Sequence, residues 1–263
     1  MNLNRSQEIW IQSSVLILAC LPFFGFALSI DTRLLNDINI WVKPLKFHVS
    51  TAMHLLTLAI VIHFLPPTIK QSKWILAIAY VTGISTLLEL GLIDMQAFRG
   101  VASHFNFATA FDVIVYSMMG VFALLLTVPA LFLGVIFARA PLTPQLTPGL
   151  KLSIVLGLIL GCIFTLGIAG YMSSLPSGHW VNAPTTDQGG VPLVGWTKQG
   201  GDLRVPHFFA THMLQVLPII GWLADKLFTN KARVIVLAST LVLIAITLLT
   251  LQQALAGIPL IAH

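Results

Sequence analysis

Seven stretches of the chain, at roughly 9–30, 45–65, 74–98, 108–138, 150–173, 205–225 and 232–254, are almost purely apolar. Each reaches the length of about 20 residues that a helix needs to cross the hydrocarbon of a bilayer. Inside lipid every backbone N–H and C=O must find its partner within the structure itself, so helix is the conformation predicted for all seven. A transmembrane β-barrel would instead alternate polar and apolar residues over segments of about 10 residues, and no such alternation is present. The predicted fold class is therefore all-α: a polytopic membrane helix bundle of seven transmembrane helices. It is read as a single transmembrane domain over residues 1–263, with one long connection at 174–204. Pro66-Pro67, Pro141 to Pro148 and Thr229-Asn230 mark the short turns.

Composition supports this and excludes much else. Only 9% of the 263 residues are charged and 57% are hydrophobic, against about 25% charged in soluble domains. Mean hydropathy is +0.91. A secreted, cytosolic or nucleic-acid-binding domain is ruled out, and the partner to expect is the lipid bilayer. The net charge of +5 does not point to DNA, because the basic residues are scattered over short loops. Their distribution bears instead on orientation. Arg5, Lys70, Lys73, Arg139, Lys151, Lys226, Lys231 and Arg233 fall on the N-terminal side, and Arg33, Lys43, Lys46, Arg99, Lys198 and Arg204 on the other. Eight against six favours a cytoplasmic N-terminus and a periplasmic 174–204 connection.

Cys20 and Cys162 both lie in apolar runs and read as small core residues, not as a disulfide. Leu18-Ala19-Cys20 imitates a lipoprotein signal, but the apolar run continues through Leu21-Pro22-Phe23-Phe24. An uncleaved first span is expected.

Ionisable residues inside a membrane are costly and are functional candidates by default. Here they collect toward one end of the spans. In the sixth span, Arg204, His207, Thr211, His212 and Gln215 fall within an arc of about 140°, opposite an apolar face that includes Phe208 and Met213. The second span opens with Trp41, Lys43, Lys46 and His48, and carries His54 two turns further in. Lys43 reads as an interfacial anchor with Trp41, and Lys46 as the partner of an anion. The third span adds Glu89, Asp94, Gln96 and Arg99. Ser103-His104 follow in the turn, and Asp112 with Tyr116 open the fourth span. At 1.5 Å of rise per residue, His54, Glu89 and His212 sit about 10–13 Å below the ends of their helices. The connection at 174–204, with His179, Trp180, Asp187 and Trp196, is expected to fold over the mouth of the bundle or to lie on the lipid surface.

Three segments, Trp41 through Lys43-Pro44-Leu45-Lys46-Phe47, Arg99-Gly100 with Ser103-His104-Phe105-Asn106, and Gly201-Asp202-Leu203-Arg204 with His207, resemble those of a group of uncharacterised bacterial multi-span inner-membrane proteins. The resemblance covers about a quarter of the chain, implies a bacterial inner membrane and brings no activity with it. Ser103-His104, Asp112 and the His207/His212 pair are also faintly similar to the zinc site of adiponectin-receptor and alkaline-ceramidase hydrolases. A retinal protein is excluded, since the seventh span has no deep lysine.

Three functions are carried forward. The first is a cofactor-binding protein in which His54, His207 and His212 supply ligands to haem b or a transition-metal ion, with Lys46, Arg99 and Arg204 facing its anionic groups in one pocket. Covalent haem is excluded for want of Cys-x-x-Cys-His. The second is a metal-dependent enzyme drawing on His54, Glu89, His104, Asp112, His207 and His212. The third is a transporter or sensor for a small, anionic solute without a cofactor, although seven spans without an internal repeat do not match inverted-repeat transporters.

Overall fold

The computed structural model describes residues 3–262 and is mostly helical, with very little sheet. Seven helical segments are long and apolar enough to cross a membrane: Arg5–Ile30, Val42–Phe64, Lys73–Arg99, Ala110–Arg139, Pro148–Ser174, Arg204–Leu227 and Thr229–Leu255. All seven expected spans are present, with ends displaced by a few residues. The chain is a multi-pass membrane protein. It forms two compact units, Met1–Pro129 and Ala130–His263, and the boundary falls at Pro129 inside one helix.

In the first unit the opening span is broken into α1 (Arg5–Ala19) and α2 (Leu21–Ile30). The break follows from Pro22, whose missing N–H fits the first turn of a new helix. Two residue pairs, β1 (Leu34–Leu35) and β2 (Ile38–Asn39), then form a minimal hairpin. Its turn is Asn36-Asp37, with φ of 51° and 63°, a left-handed pair that Asn and Asp tolerate at modest cost. Then come α3 (Val42–Val61), the short α4 (Pro67–Lys70), α5 (Lys73–Arg99) and the first part of α6 (Ala110–Arg139). Helices α1, α3 and α5 pack on one another. Lipid provides no hydrophobic drive for this, so polar side chains join the helices. Trp10 Nε1 donates to Thr82 Oγ1 at 2.6 Å, Gln7 Nε2 to the Ala59 carbonyl at 3.0 Å, and Ser14 Oγ to the Ala52 carbonyl at 3.2 Å. Trp41 is not an interfacial anchor. It is 2% exposed, packs with Phe24, Ala27, Ile40 and Ala97, and donates its Nε1–H to Asp31 at 2.9 Å.

The second unit contains the end of α6, α7 (Pro148–Ser174), α8 (Arg204–Leu227) and α9 (Ala232–Leu255), the last three mutually packed. Helix α7 carries a stripe that the sequence reading missed: Gly149, Ser153, Gly157 and Gly161, four residues apart. This spacing lets two helix backbones approach closely, and α8 uses it. A Cβ on Gly157 would lie 2.8 Å from the Met213 carbonyl oxygen. At the start of α7, Asp225 from α8 acts as a cap across helices. Its carboxylate accepts the Thr147 hydroxyl and the N–H groups of Gly149 (3.0 Å) and Leu150 (2.6 Å).

The long connection is folded. β3 (Trp180–Val181) pairs antiparallel with β4 (Gly201–Asp202). Gly201 is packed so tightly on the end of α9 that a Cβ there would overlap the Ala254 carbonyl.

Candidate functional site

Helices α3 and α5 and the turn at 100–109 bring together several buried polar groups of the first unit, among them His48, Glu89 and Ser103. Helix α5 ends at Gly100 in a left-handed conformation, φ 73°, which reverses the chain. The following residues fold back, so that Ser103 and Asn106 are 3% and 8% exposed. This inward turn carries His104 to Glu89, ten positions before the end of α5. His104 Nε2 stands 3.5 Å from Glu89 Oε1. On its other side, Nδ1 lies 3.1 Å from Lys43 Nζ and 3.1 Å from Ser103 Oγ. Lys43 is thus a member of this array and not an anchor at the lipid surface.

The tautomer of His104 follows from its partners. An ammonium only donates, so Nδ1 accepts, and the single ring proton of the neutral imidazole sits on Nε2, facing Glu89. The ring is held neutral, because burial and then the Lys43 charge push His104 well below its usual value. The second oxygen of Glu89, Oε2, is buried and has no hydrogen-bond partner among the described residues.

One turn nearer the end of α5 is a second proton-bearing contact. His48 Nδ1 donates to the Pro44 carbonyl at 3.0 Å, and Nε2 faces Asp94 Oδ2 at 3.5 Å. With the Nδ1 proton committed, a neutral His48 would set a lone pair against a carboxylate. A proton shared between the two groups removes that clash. Asp94 Oδ1 is also buried without a hydrogen-bond partner among the described residues.

Arg99 is engaged elsewhere. Its Nη1 contacts Asp112 Oδ1 at 2.6 Å and also donates to Gln96 Oε1. Gln96 Nε2 donates to Asp112 Oδ1 at 3.0 Å, and Thr109 Oγ1 to Oδ2 at 2.7 Å. This clasp ties the end of α5 to the start of α6. Asp31, just past α2, is held far below the usual carboxylate range by the Arg33 guanidinium and the Trp41 N–H.

In the second unit Arg204 is a loop anchor. Its guanidinium binds both Asp202 oxygens (Nε to Oδ1 at 3.0 Å, Nη2 to Oδ2 at 2.7 Å), Asp187 Oδ1 at 2.7 Å and the Gly195 carbonyl at 2.8 Å. Burial raises the Asp187 carboxyl, but the His179 contact at 3.9 Å and the Arg204 charge outweigh it, and the group lies below its usual value. His179 is pushed down, mainly by burial. His212 donates its Nδ1–H to the Phe208 carbonyl at 2.7 Å, because a carbonyl only accepts. Its ring stacks on Phe208 with centroids 4.0 Å apart. Among the described residues, His207 Nδ1 and Gln215 Oε1 are buried without hydrogen-bond partners, as is His54 Nε2 in the first unit.

Of the residues assigned to a cofactor or metal site from sequence, two pairs meet directly: Glu89 with His104, and Arg99 with Asp112. Lys43 and the His48–Asp94 contact were missed as site members, Ser103 entered only through the faint hydrolase likeness, and the local turn signal Arg99-Gly100 was the only hint that 100–109 folds inward. Among the described residues there is no group of three or more His, Cys, Asp or Glu placed to hold a metal ion. The Lys43 ammonium beside His104 also disfavours a cation there. No family model, curated protein or solved structure matches this chain.

Proposed function

We propose that the protein is a proton-linked transporter or sensor for a small anionic solute, working at Lys43, His104 and Glu89. We place it in a bacterial inner membrane with its N-terminus cytoplasmic and residues 174–204 periplasmic, on the eight-to-six basic-residue count and the segment resemblance.

The observation that carries this reading is the order of groups Lys43 Nζ, His104 Nδ1, His104 Nε2 and Glu89 Oε1, at 3.1 and 3.5 Å. A proton passing from the ammonium to Nδ1 releases the Nε2 proton to Glu89. The result is a neutral amine, a neutral imidazole and a carboxylic acid, with one proton displaced inward. Chains of carboxyl and imidazole groups within spans are the usual proton relays of pumps and transporters. When Lys43 regains its proton from the aqueous side, the site gains net positive charge, which favours an anion nearby.

The test is proton movement in proteoliposomes carrying an internal pH-sensitive dye, with small anions offered on one side under an imposed potential. Wild-type protein should acidify the lumen, and Glu89→Gln should not. Proton movement at the wild-type rate in Glu89→Gln overturns the reading, as does the absence of any Glu89-dependent signal with every anion tried.

The second reading is haem b or a transition-metal ion bound through His54, His207 or His212, and the observation favouring it is that the buried nitrogens His54 Nε2 and His207 Nδ1 have no hydrogen-bond partner among the described residues. Haem asks for only one or two axial imidazoles. A Soret band in the absorption spectrum of the purified protein, lost in His54→Ala or His207→Ala, would establish it.

A further inference from the structure

Where α6 ends and α7 and α9 begin, the second unit has an open groove of about 380 Å³. Ala138, Leu142, Pro148, Leu152 and Val155 form its apolar walls, and Lys151 and Arg233 are the charged groups lining it. Val155 lies seven residues beyond Pro148, so the apolar lining runs about 10 Å along α7 from its first turn.

Asp225, bonded to the residues just before Lys151, is committed to the start of α7. Asp225 accepts hydrogen bonds from Thr147, Gly149 and Leu150, which also satisfies the first amides of α7. Among the described residues, neither Lys151 nor Arg233 pairs with a carboxylate. Lys151 donates one hydrogen bond, to the Ala140 carbonyl at 2.6 Å, and an ammonium has three donors. Arg233 brings five more in a fork that matches two phosphate oxygens.

We propose that this groove binds an anionic phospholipid, with its phosphate between Lys151 and Arg233 and one acyl chain along Leu152 and Val155. The charge calls for an anion. The apolar lining selects a lipid over free phosphate, because an inorganic ion would leave those walls unfilled. Basic pockets between spans at the ends of helices are the recurring form of headgroup sites. This inference is independent of the relay in the first unit.

Native mass spectrometry of the full-length protein in detergent tests it, with phosphatidylglycerol and phosphatidylcholine of identical chains as probes. Wild-type protein should retain phosphatidylglycerol preferentially, and excess inorganic phosphate should not displace it. Lys151→Gln with Arg233→Gln should weaken that binding about tenfold or more while leaving phosphatidylcholine unchanged. Lys226→Gln with Lys231→Gln, on the same end of the spans but outside the groove, should leave it intact. A groove-filling Val155→Phe, which keeps both charges, should also weaken it and serves if the charge variant does not fold. Equal loss in the Lys226/Lys231 variant, displacement by inorganic phosphate, or unchanged binding in the groove variants overturns the proposal.

Discussion

Nε2 of His104 faces Oε1 of Glu89 at 3.5 Å, although one lies on an interhelical turn and the other well inside α5. The contact exists because Gly100 reverses the chain and the turn folds inward. If Glu89 exchanges its proton through this ring, an infrared titration of purified protein should show a protonated-carboxyl band that disappears in Glu89→Gln. His104→Phe should shift its midpoint. A band that titrates identically in wild type and His104→Phe would separate the two residues functionally.

Stability should fall on the acid side. His104 and His179 are both depressed below 6.5 in the folded protein. The unfolded chain therefore binds more protons wherever the pH is below that value but above the folded one. Their contribution is complete above pH 6.5 and is lost as pH falls toward the folded values. Asp187, also depressed, adds a loss in the same direction below 3.8. Melting in detergent from about pH 8 to about pH 5 should show a plateau and then a decline, flattened in His104→Phe. A melting temperature that rises on acidification would contradict the buried neutral imidazoles.

Arg204 holds two carboxylates and a carbonyl, so Arg204→Ala leaves Asp187 and Asp202 uncompensated. Breaking one partner out of such a set costs about 3–5 kcal/mol. The 175–203 connection should become cleavable by added protease, whereas the α7–α8 packing should persist. Arg204→Lys should recover only part of the loss, because a point charge cannot bind Asp202 in a fork.

Two glycines are set by close approach. Gly201→Ala would drive a methyl into the Ala254 carbonyl, and Gly157→Val would press α7 off Met213. Overpacking of this kind costs about 1–3 kcal/mol or more. Thermal unfolding should register both, while Gly167→Ala, with open space around it, should be neutral. Equal melting temperatures for all three would refute the close packing.

Asp225→Ala removes the shared cap of α7. With three donors orphaned, a loss of about 1–2 kcal/mol is expected, measurable by chemical unfolding, with Asp225→Asn intermediate.

The seven spans, their approximate ends and the all-α class are determined by sequence alone, because hydrocarbon thickness and internal backbone pairing are demands that each segment meets by itself. The polar stripe on α8 was legible for the same reason. Helical periodicity places Arg204, His207 and His212 on one face but cannot say that Arg204 turns back to Asp187 in the preceding connection. Pairings such as Lys43 with His104, His48 with Asp94, and Asp225 with the start of α7 depend on which helices are neighbours and on where a loop folds inward. The glycine stripe of α7 had a readable spacing, yet its partner helix did not. Depth measured along separate helix axes set His104 far from Glu89. Only the inward fold of 100–109 after Gly100 removed that distance: the glycine marks the reversal locally, but the direction of the turn is decided by the tertiary burial of Ser103 and Asn106.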